Sequence, residues 1–413
     1  MRDTARPFLL DVTRLVALSW TARRATGIDR VCHAYLKNFR SRALAAIQYR
    51  GVMGTLGPRR SALLFDLLSQ PEKQFHKELL KFVPSPLTGH TLKRGLAGAT
   101  YINVSHTDFH LDRHTRWLTT NRIRPVYFLH DLIPIIHPEI CRPLAVRHHT
   151  LRVKKALQFG AGIIVNSRAT AMELWRFARE QGMKSPNLVV SPLAGTDLQE
   201  AFSLPQATTM ERKTRAADPF FVSVGTIEPR KNYLMLLRIW QRLVERLGDN
   251  APRLVIIGQW GQDRSFVRQV QEAAALLRDH VQFMIGSTDE ALASKVRDAR
   301  ALLLPTLAEG FGLPLVEALK AGTPVIASDL PSFREMGQDI PLLLPPGAED
   351  IWEKAIMNFD DTSSDRLRQI RVLPAFKAPS WDDHFSIVEP WLETLSQLEI
   401  PEFRKVPSQC LSA

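Results

Sequence analysis

The sequence predicts an α/β protein of two domains, each built around a doubly wound parallel sheet. Three observations predict it. Short apolar runs alternate with helix-length amphipathic segments, the pattern of buried strands joined by crossover helices. The 413 residues exceed what one hydrophobic core usually organises. A polar stretch, Thr196–Pro219, lacks any sustained apolar period and reads as a linker between the halves.

In the second half, strands are expected at Phe220–Val224, Leu254–Ile257, Val281–Ile285, Ala301–Leu304 and Val325–Ala327. Helices are expected between them near Tyr233–Leu247, Ser265–Leu277, Glu290–Asp298 and from about Pro314. In the first half, Phe8–Val12 reads as an opening strand, followed by a helix from about Ile28 to Phe39. Further strands are expected at Tyr101–Val104, Val126–Leu129, Gly162–Val165 and Leu188–Val190. Asn166-Ser167 is a good N-cap pair for the helix that carries Met172, Leu174, Trp175 and Phe177. Residues 48–98 remain unassigned. Their lysines and arginines (Arg59, Arg60, Lys73, Lys77, Lys81, Lys93, Arg94) are interleaved with apolar residues, which suits either interfacial amphipathic helices or ordinary surface helices.

Composition narrows the class. Apolar residues make up 45% and charged residues 23%, which excludes a largely disordered chain. Cys32, Cys141 and Cys410 are far apart with no CxxC spacing, so neither a disulfide framework nor a zinc site is indicated and a reducing, cytoplasmic setting is expected. No signal peptide and no membrane span of roughly 18 apolar residues are expected. Residues 1–215 hold 33 Lys/Arg against 15 Asp/Glu, a balance of +18, whereas residues 216–413 hold 21 against 27, or −6. The first half is therefore expected to face an anionic partner: nucleic acid, anionic lipid or a phosphorylated acceptor.

Ligands of open α/β sheets bind beyond the carboxyl ends of the strands. Three such loops in the second half contain a coherent set: Gly225 through Arg230, Lys231 and Asn232; Gly258-Gln259-Trp260-Gly261; and Pro305 through Glu309, Gly310, Phe311, Gly312, Leu313 and Pro314 to Glu317. Gly310 and Gly312 let backbone approach a ligand, and Pro314 suits a first helical turn whose free N–H groups would receive a phosphate or a sugar hydroxyl. Glu317, one turn in, can take both hydroxyls of a ribose; Glu309 can take sugar hydroxyls; Arg230 and Lys231 can neutralise a diphosphate leaving group. Gly258 and its neighbours either line a base or turn the chain. His106, His110 and His114, with Asp108 and Asp112 between them, do not form a standard metal set.

These residues resemble the retaining glycosyltransferases of the family 4 type, which have the GT-B fold: two facing Rossmann-like domains with an interdomain cleft. The likeness lies in the Glu-x7-Glu pattern Glu309–Glu317, in Gly225–Asn232 and in Ala321–Ala327, with bacterial mannosyltransferases the most similar. Carried over by position, it implies that Glu317 holds the ribose, Glu309 the donor sugar, and Arg230 and Lys231 the diphosphate. Gly225, Gly258, Gly310, Phe311, Gly312 and Leu313 complete the donor site. Thr26-Gly27-Ile28-Asp29-Arg30 matches the acceptor-side phosphate loop, although Thr26 stands where the family carries a second glycine. His130, before Asp131, matches the family's active-site histidine, so His130, Lys231 and Glu309 are the expected catalytic set. Ser380-Trp381 resembles the point at which the chain crosses back. The implied domains are 1–205 and 216–378, with a last helix over 382–413 packing on the first.

The resulting expectation is a metal-independent hexosyltransferase. It would need no cofactor beyond its nucleotide diphosphate sugar, GDP-mannose being the first choice, and would act on a glycan or lipid-linked acceptor in surface polysaccharide synthesis. It would work in the cytoplasm, with peripheral attachment to an anionic inner membrane face as one option. A sugar-nucleotide epimerase on the same fold lacks a use for the basic acceptor half and the Glu-x7-Glu pattern. A nucleic-acid-binding protein is suggested by the pI near 9.8, but there is no nucleic-acid motif on the basic half, and nucleic acid is not expected as a partner.

Overall fold

The computed structural model describes residues 7–21, 25–69, 79, 96–195, 219–277 and 279–397. The first sheet comprises β1 (Phe8–Asp11), β2 (Ala43–Tyr49), β3 (Val52–Thr55), β4 (Thr100–Asn103), β5 (Arg124–Leu129), β6 (Gly162–Val165) and β7 (Leu188–Val190). Their order is β3-β2-β1-β4-β5-β6-β7, parallel throughout except for the β2–β3 hairpin. The second comprises β8 (Phe220–Val224), β9 (Arg253–Gly258), β10 (Val281–Ile285), β11 (Ala301–Leu304), β12 (Val325–Ser328) and β13 (Leu342–Leu344). It is wholly parallel in the order β10-β9-β8-β11-β12-β13. Both sheets are thus doubly wound, and each reverses direction beside its first strand, at β1/β4 and at β8/β11. A ligand crevice belongs at such a reversal.

Continuous apolar strands work here because helices cover both faces of each sheet. Helix Tyr233–Leu247 buries Tyr233, Leu236, Leu237, Trp240 and Leu243 on one stripe, and the Trp240 indole N–H donates to the Pro252 carbonyl at 2.7 Å. In β8, the buried Ser223 hydroxyl donates to the Leu303 carbonyl of β11 at 2.8 Å, tying together the two strands that flank the crevice.

All the expected strands are present. Three further strands, β2, β3 and β13, carry weak signals. β2 reads Ala-Leu-Ala-Ala-Ile-Gln-Tyr, β3 contains Gly54, and β13 is three leucines between prolines. In the unassigned stretch, helix Pro58–Ser69 buries Leu64, Phe65 and Leu68 in the core, leaving Leu63 exposed. Lys73, Lys77, Lys81, Lys93, Arg94 and Cys410 lie outside the described residues, as does the linker up to residue 218.

Two sets of contacts join the domains. Helix Trp381–Gln397 returns to the first domain, where the buried His384 ring accepts from the Tyr35 hydroxyl at 2.9 Å through Nε2 and donates from Nδ1 to the Pro192 carbonyl at 2.9 Å. Gly162 makes room for Trp391 of that helix; a Cβ there would come within 2.5 Å of the indole. At the cleft, the Glu335 carboxylate accepts from the backbone N–H groups of Arg168 (2.8 Å) and Ala169 (3.1 Å), capping helix Arg168–Glu180 from the opposite domain.

Candidate active site

The charged centre of the site comes from the two loops at the β8/β11 reversal. After β8, Pro229–Lys231 forms a single 3-10 turn that ends at Asn232, whose φ of 56° lies in the left-handed region asparagine tolerates. The loop after β11 is stitched to this turn. The Arg230 carbonyl accepts from Leu307 N at 2.8 Å and from the Thr306 hydroxyl at 2.9 Å, and the Asn232 amide donates to the Pro305 carbonyl at 3.3 Å. This stitching brings the side chains together. Glu309 Oε2 accepts from Lys231 Nζ at 2.5 Å and from Arg230 Nη1 at 3.1 Å. Burial alone would lift the Glu309 carboxyl, but Lys231 and then Arg230 outweigh it and hold it at about 2. Burial pushes the Lys231 ammonium below its usual value, an effect that Glu309 offsets only in part. Glu228 Oε2 also accepts from Arg230 Nε at 3.3 Å, so the two cations are balanced by two carboxylates, one of them, Glu309, set between both cations in a largely desolvated place.

The glycines divide by physical role. Gly312 has φ of 96° and precedes helix Leu313–Lys320, with Pro314 at its second position. Gly258 and Gly261 are required by backbone packing: a Cβ on either would stand 2.0 Å from the Gly225 carbonyl oxygen and 2.3 Å from that of Ile227, respectively. Trp260 pairs as an isolated bridge with Ile227 and stacks on Phe283 at 5.4 Å. Gly310 faces the other domain, where a Cβ would lie 2.4 Å from the His130 carbonyl oxygen.

His130 therefore meets the Gly310 loop through its backbone. Its ring stacks on Phe128 at 4.4 Å and donates from Nε2 to the Val104 carbonyl at 2.8 Å. Burial pushes it down to about 4, so it is neutral at pH 7. The Ser167 hydroxyl donates to the Gly310 carbonyl at 2.8 Å, a second backbone tie across the cleft. Glu317 is buried one turn into its helix, and its Oε1 accepts from Arg30 Nη1 of the first domain at 3.0 Å. Gly27 lies against Leu313, whose Cδ1 would be 2.9 Å from an added Cβ. Phe311 is buried. Among the described residues, no group of three or more His, Cys, Asp or Glu is placed to hold a metal.

Residues 207–370 match the family described as glycosyl transferases group 1. The match covers most of the second domain and none of the first. Among curated relatives of this chain are the serotype-specific mannosyltransferase WbdA of Escherichia coli (30% identical over 226 residues, 52% of this chain and 27% of the relative) and the O-antigen chain mannosyltransferase RfbU of Salmonella typhimurium (30% over 144 residues, 34% and 38%). The phosphatidyl-myo-inositol mannosyltransferase of Mycolicibacterium smegmatis is 38% identical over 113 residues, 27% of this chain and 28% of the relative. The chain thus spans well under half the length of each of these relatives. Solved structures share its GT-B fold over nearly the whole chain. Sucrose-phosphate synthase from Thermosynechococcus elongatus aligns with TM-score 0.63 at 17% identity, over 95% of this chain and 99% of that one. Anabaena HepE in complex with UDP-glucose aligns with TM-score 0.61 at 18% identity, over the same shares.

Several residues of this site were not legible as such from the sequence. Thr26 and Asp29 close a capping box on helix Gly27–Phe39, with Asp29 Oδ2 accepting from Thr26 N and from its hydroxyl, both at 2.7 Å. Arg14 holds the same carboxylate at 2.7 and 3.3 Å. The threonine that replaces a glycine thus serves to brace the loop. Glu173, from the capped helix, lines a cavity of about 70 Å³ together with Ile133, His137, Leu307, Glu309 and Ser332. Burial, reinforced by Asp131, raises its carboxyl to about 7. The sequence offered a capping signal for Asp29 but none for Glu173, whose setting is created by the meeting of the domains.

Proposed function

We propose that this protein is a glycosyltransferase that moves a hexose, with retention at the anomeric carbon, from a nucleotide diphosphate sugar to a glycan acceptor. GDP-mannose is the first-choice donor, and a lipid-linked glycan of surface polysaccharide or glycolipid synthesis is the first-choice acceptor. The observation that carries the reading is the buried Lys231–Glu309–Arg230 cluster beside the Gly312 helix start. Its two cations lie where a diphosphate would accumulate charge as the glycosidic bond breaks. Glu309, ionised throughout the physiological range, accepts hydrogen bonds from the donor sugar and does not act as an acid. Glu317 takes the ribose hydroxyls. As the C1–O bond to the diphosphate breaks, the acceptor hydroxyl oxygen bonds to C1 on the same face, and its proton passes to the departing phosphate oxygen. The mannosyl preference rests on the similarity to WbdA, RfbU and the phosphatidyl-myo-inositol enzyme.

Among the described residues, no helix is long and apolar enough to cross a membrane. The +18 balance of residues 1–215 supports docking of the first domain on an anionic membrane face, where a lipid-linked acceptor would be found. Nucleotide release measured across a panel of GDP-, UDP-, dTDP- and ADP-sugars tests the donor assignment. Turnover with GDP-mannose above the others supports it, and none with any nucleotide sugar refutes the transferase reading.

A further inference from the structure

The donor helix is completed by a residue from the opposite domain. Arg30 Nη1 donates to Glu317 Oε1 at 3.0 Å, and Arg30 Nη2 donates to Asp289 Oδ1 at 3.2 Å, so two carboxylates from different elements of the second domain set the plane of one guanidinium. Arg30 is rooted in a stiff place. It follows Asp29 directly, and Asp29 is locked by the Thr26 capping box and the Arg14 fork. From another side, Gly195 of the first domain lies against Glu317, with an added Cβ falling 3.0 Å from its Cγ. The Glu317 side chain is only 7% exposed. A carboxylate so enclosed takes its direction from the groups around it, and two of those belong to the domain that does not carry it.

We propose that Arg30 is a positioning residue. It fixes the Glu317 carboxylate across the domain seam so that the carboxylate can receive the hydroxyls of the donor nucleoside. The donor site is therefore whole only when the acceptor-side loop is seated. This inference rests on the assignment of Glu317 to the ribose made above. Asp289, 60% exposed, steers the guanidinium weakly and Glu317 dominates. Without Arg30, the carboxylate still has its helix but has lost a donor that orients it, so nucleotide affinity falls.

The test is calorimetry of GDP and UDP binding to the full chain and to Arg30→Ala, Arg30→Lys, Asp289→Asn, Glu317→Gln and the Arg30→Ala/Glu317→Gln pair, with thermal melting as a check on folding. Arg30→Ala is expected to weaken the nucleotide about tenfold, Arg30→Lys about threefold, and Asp289→Asn less than about twofold. In the Glu317→Gln background, Arg30→Ala is expected to add less than about twofold, the non-additivity that marks one residue acting through another. In turnover, KM for the donor should rise with kcat nearly kept. Unchanged affinity in Arg30→Ala, or full additivity in the pair, overturns the proposal. Tighter binding in Arg30→Ala overturns it too and makes Arg30 a competitor of the nucleoside. If Arg30→Ala does not fold, the Arg30→Lys pair with Glu317→Gln decides by the same criterion. A wild-type chain that binds neither GDP nor UDP sinks the ribose assignment and this inference with it, whereas wild-type binding with an indifferent Arg30 sinks this inference alone.

Discussion

Replacing Lys231 with alanine probes the charged centre most directly. Lys231 is buried, and its ammonium is 2.5 Å from Glu309 Oε2. Breaking a buried ion pair outright costs about 3–5 kcal/mol, because a charge is left without a partner. Here Arg230 stays 3.1 Å from the same oxygen, so Glu309 is not orphaned. The loss is closer to one charge-assisted hydrogen bond, about 2 kcal/mol, or roughly 30-fold in the folding equilibrium. The sign of its pH dependence follows from Glu309. Its carboxyl is held at about 2 against an ordinary 4.5. A depressed acid contributes stability that is fully present above 4.5 and lost as pH falls through about 2. The gap between wild type and Lys231→Ala in denaturant unfolding should therefore hold from pH 8 to 5 and close toward pH 2. Catalysis should suffer more than binding, since the leaving-group charge that Lys231 meets grows in the transition state; a fall in kcat of about 10²–10³ is expected. Steady-state nucleotide release and calorimetry separate the two effects. A raised KM with wild-type kcat, or a stability gap that persists to pH 2.5, refutes the reasoning.

Other perturbations reach other parts of the site. Glu317→Ala should cost about 3 kcal/mol or more of nucleotide affinity, as two hydroxyl contacts to a carboxylate are worth about 1.5–3 kcal/mol each; unchanged GDP affinity by calorimetry would move the ribose elsewhere. Gly310→Ala places a Cβ 2.4 Å from the His130 carbonyl oxygen. It should force the domains apart at a cost of about 1–3 kcal/mol, read as a larger radius of gyration in small-angle scattering. Turnover should survive EDTA, because Arg230, Lys231 and the helix start supply the charge stabilisation; complete loss restored by Mg²⁺ or Mn²⁺ would contradict this.

The second domain was the more legible in the sequence because its strands are undiluted apolar runs, such as Ala301–Leu304, and its loops hold their chemistry close together in the chain. Glu309 and Glu317 stand eight residues apart on one loop and helix, and Arg230-Lys231 follows the neighbouring strand. The first domain hid β2 behind alanines and a glutamine. Gln48 is buried and gives its amide to Asp11 at 2.7 Å, so a polar residue there is core and not a break in the strand. What no local pattern encodes is the seam. Arg30 and Glu317 are 287 positions apart, and Glu335 caps a helix 167 residues upstream. Such pairs are specified by the closed arrangement of two sheets, each of which is complete without them. The same reason explains why the sequence marks Gly310 as a ligand glycine but not as the place where one backbone passes another.

Helix Trp381–Gln397 belongs by sequence to the end of the second half and by packing to the first. Its Tyr35–His384–Pro192 bonds and the Gly162–Trp391 fit would be lost if the two halves were exchanged between enzymes at the linker alone. A chimaera that takes a new second domain must therefore keep this chain's own final helix, with a second junction between Ala375 and Trp381. Recombination at one point leaves an uncovered apolar strip on the first domain, and recombination at two points leaves none. The second domain of such a scaffold can be transplanted as an internal cassette, an insertion into the first domain and not an appendage to it.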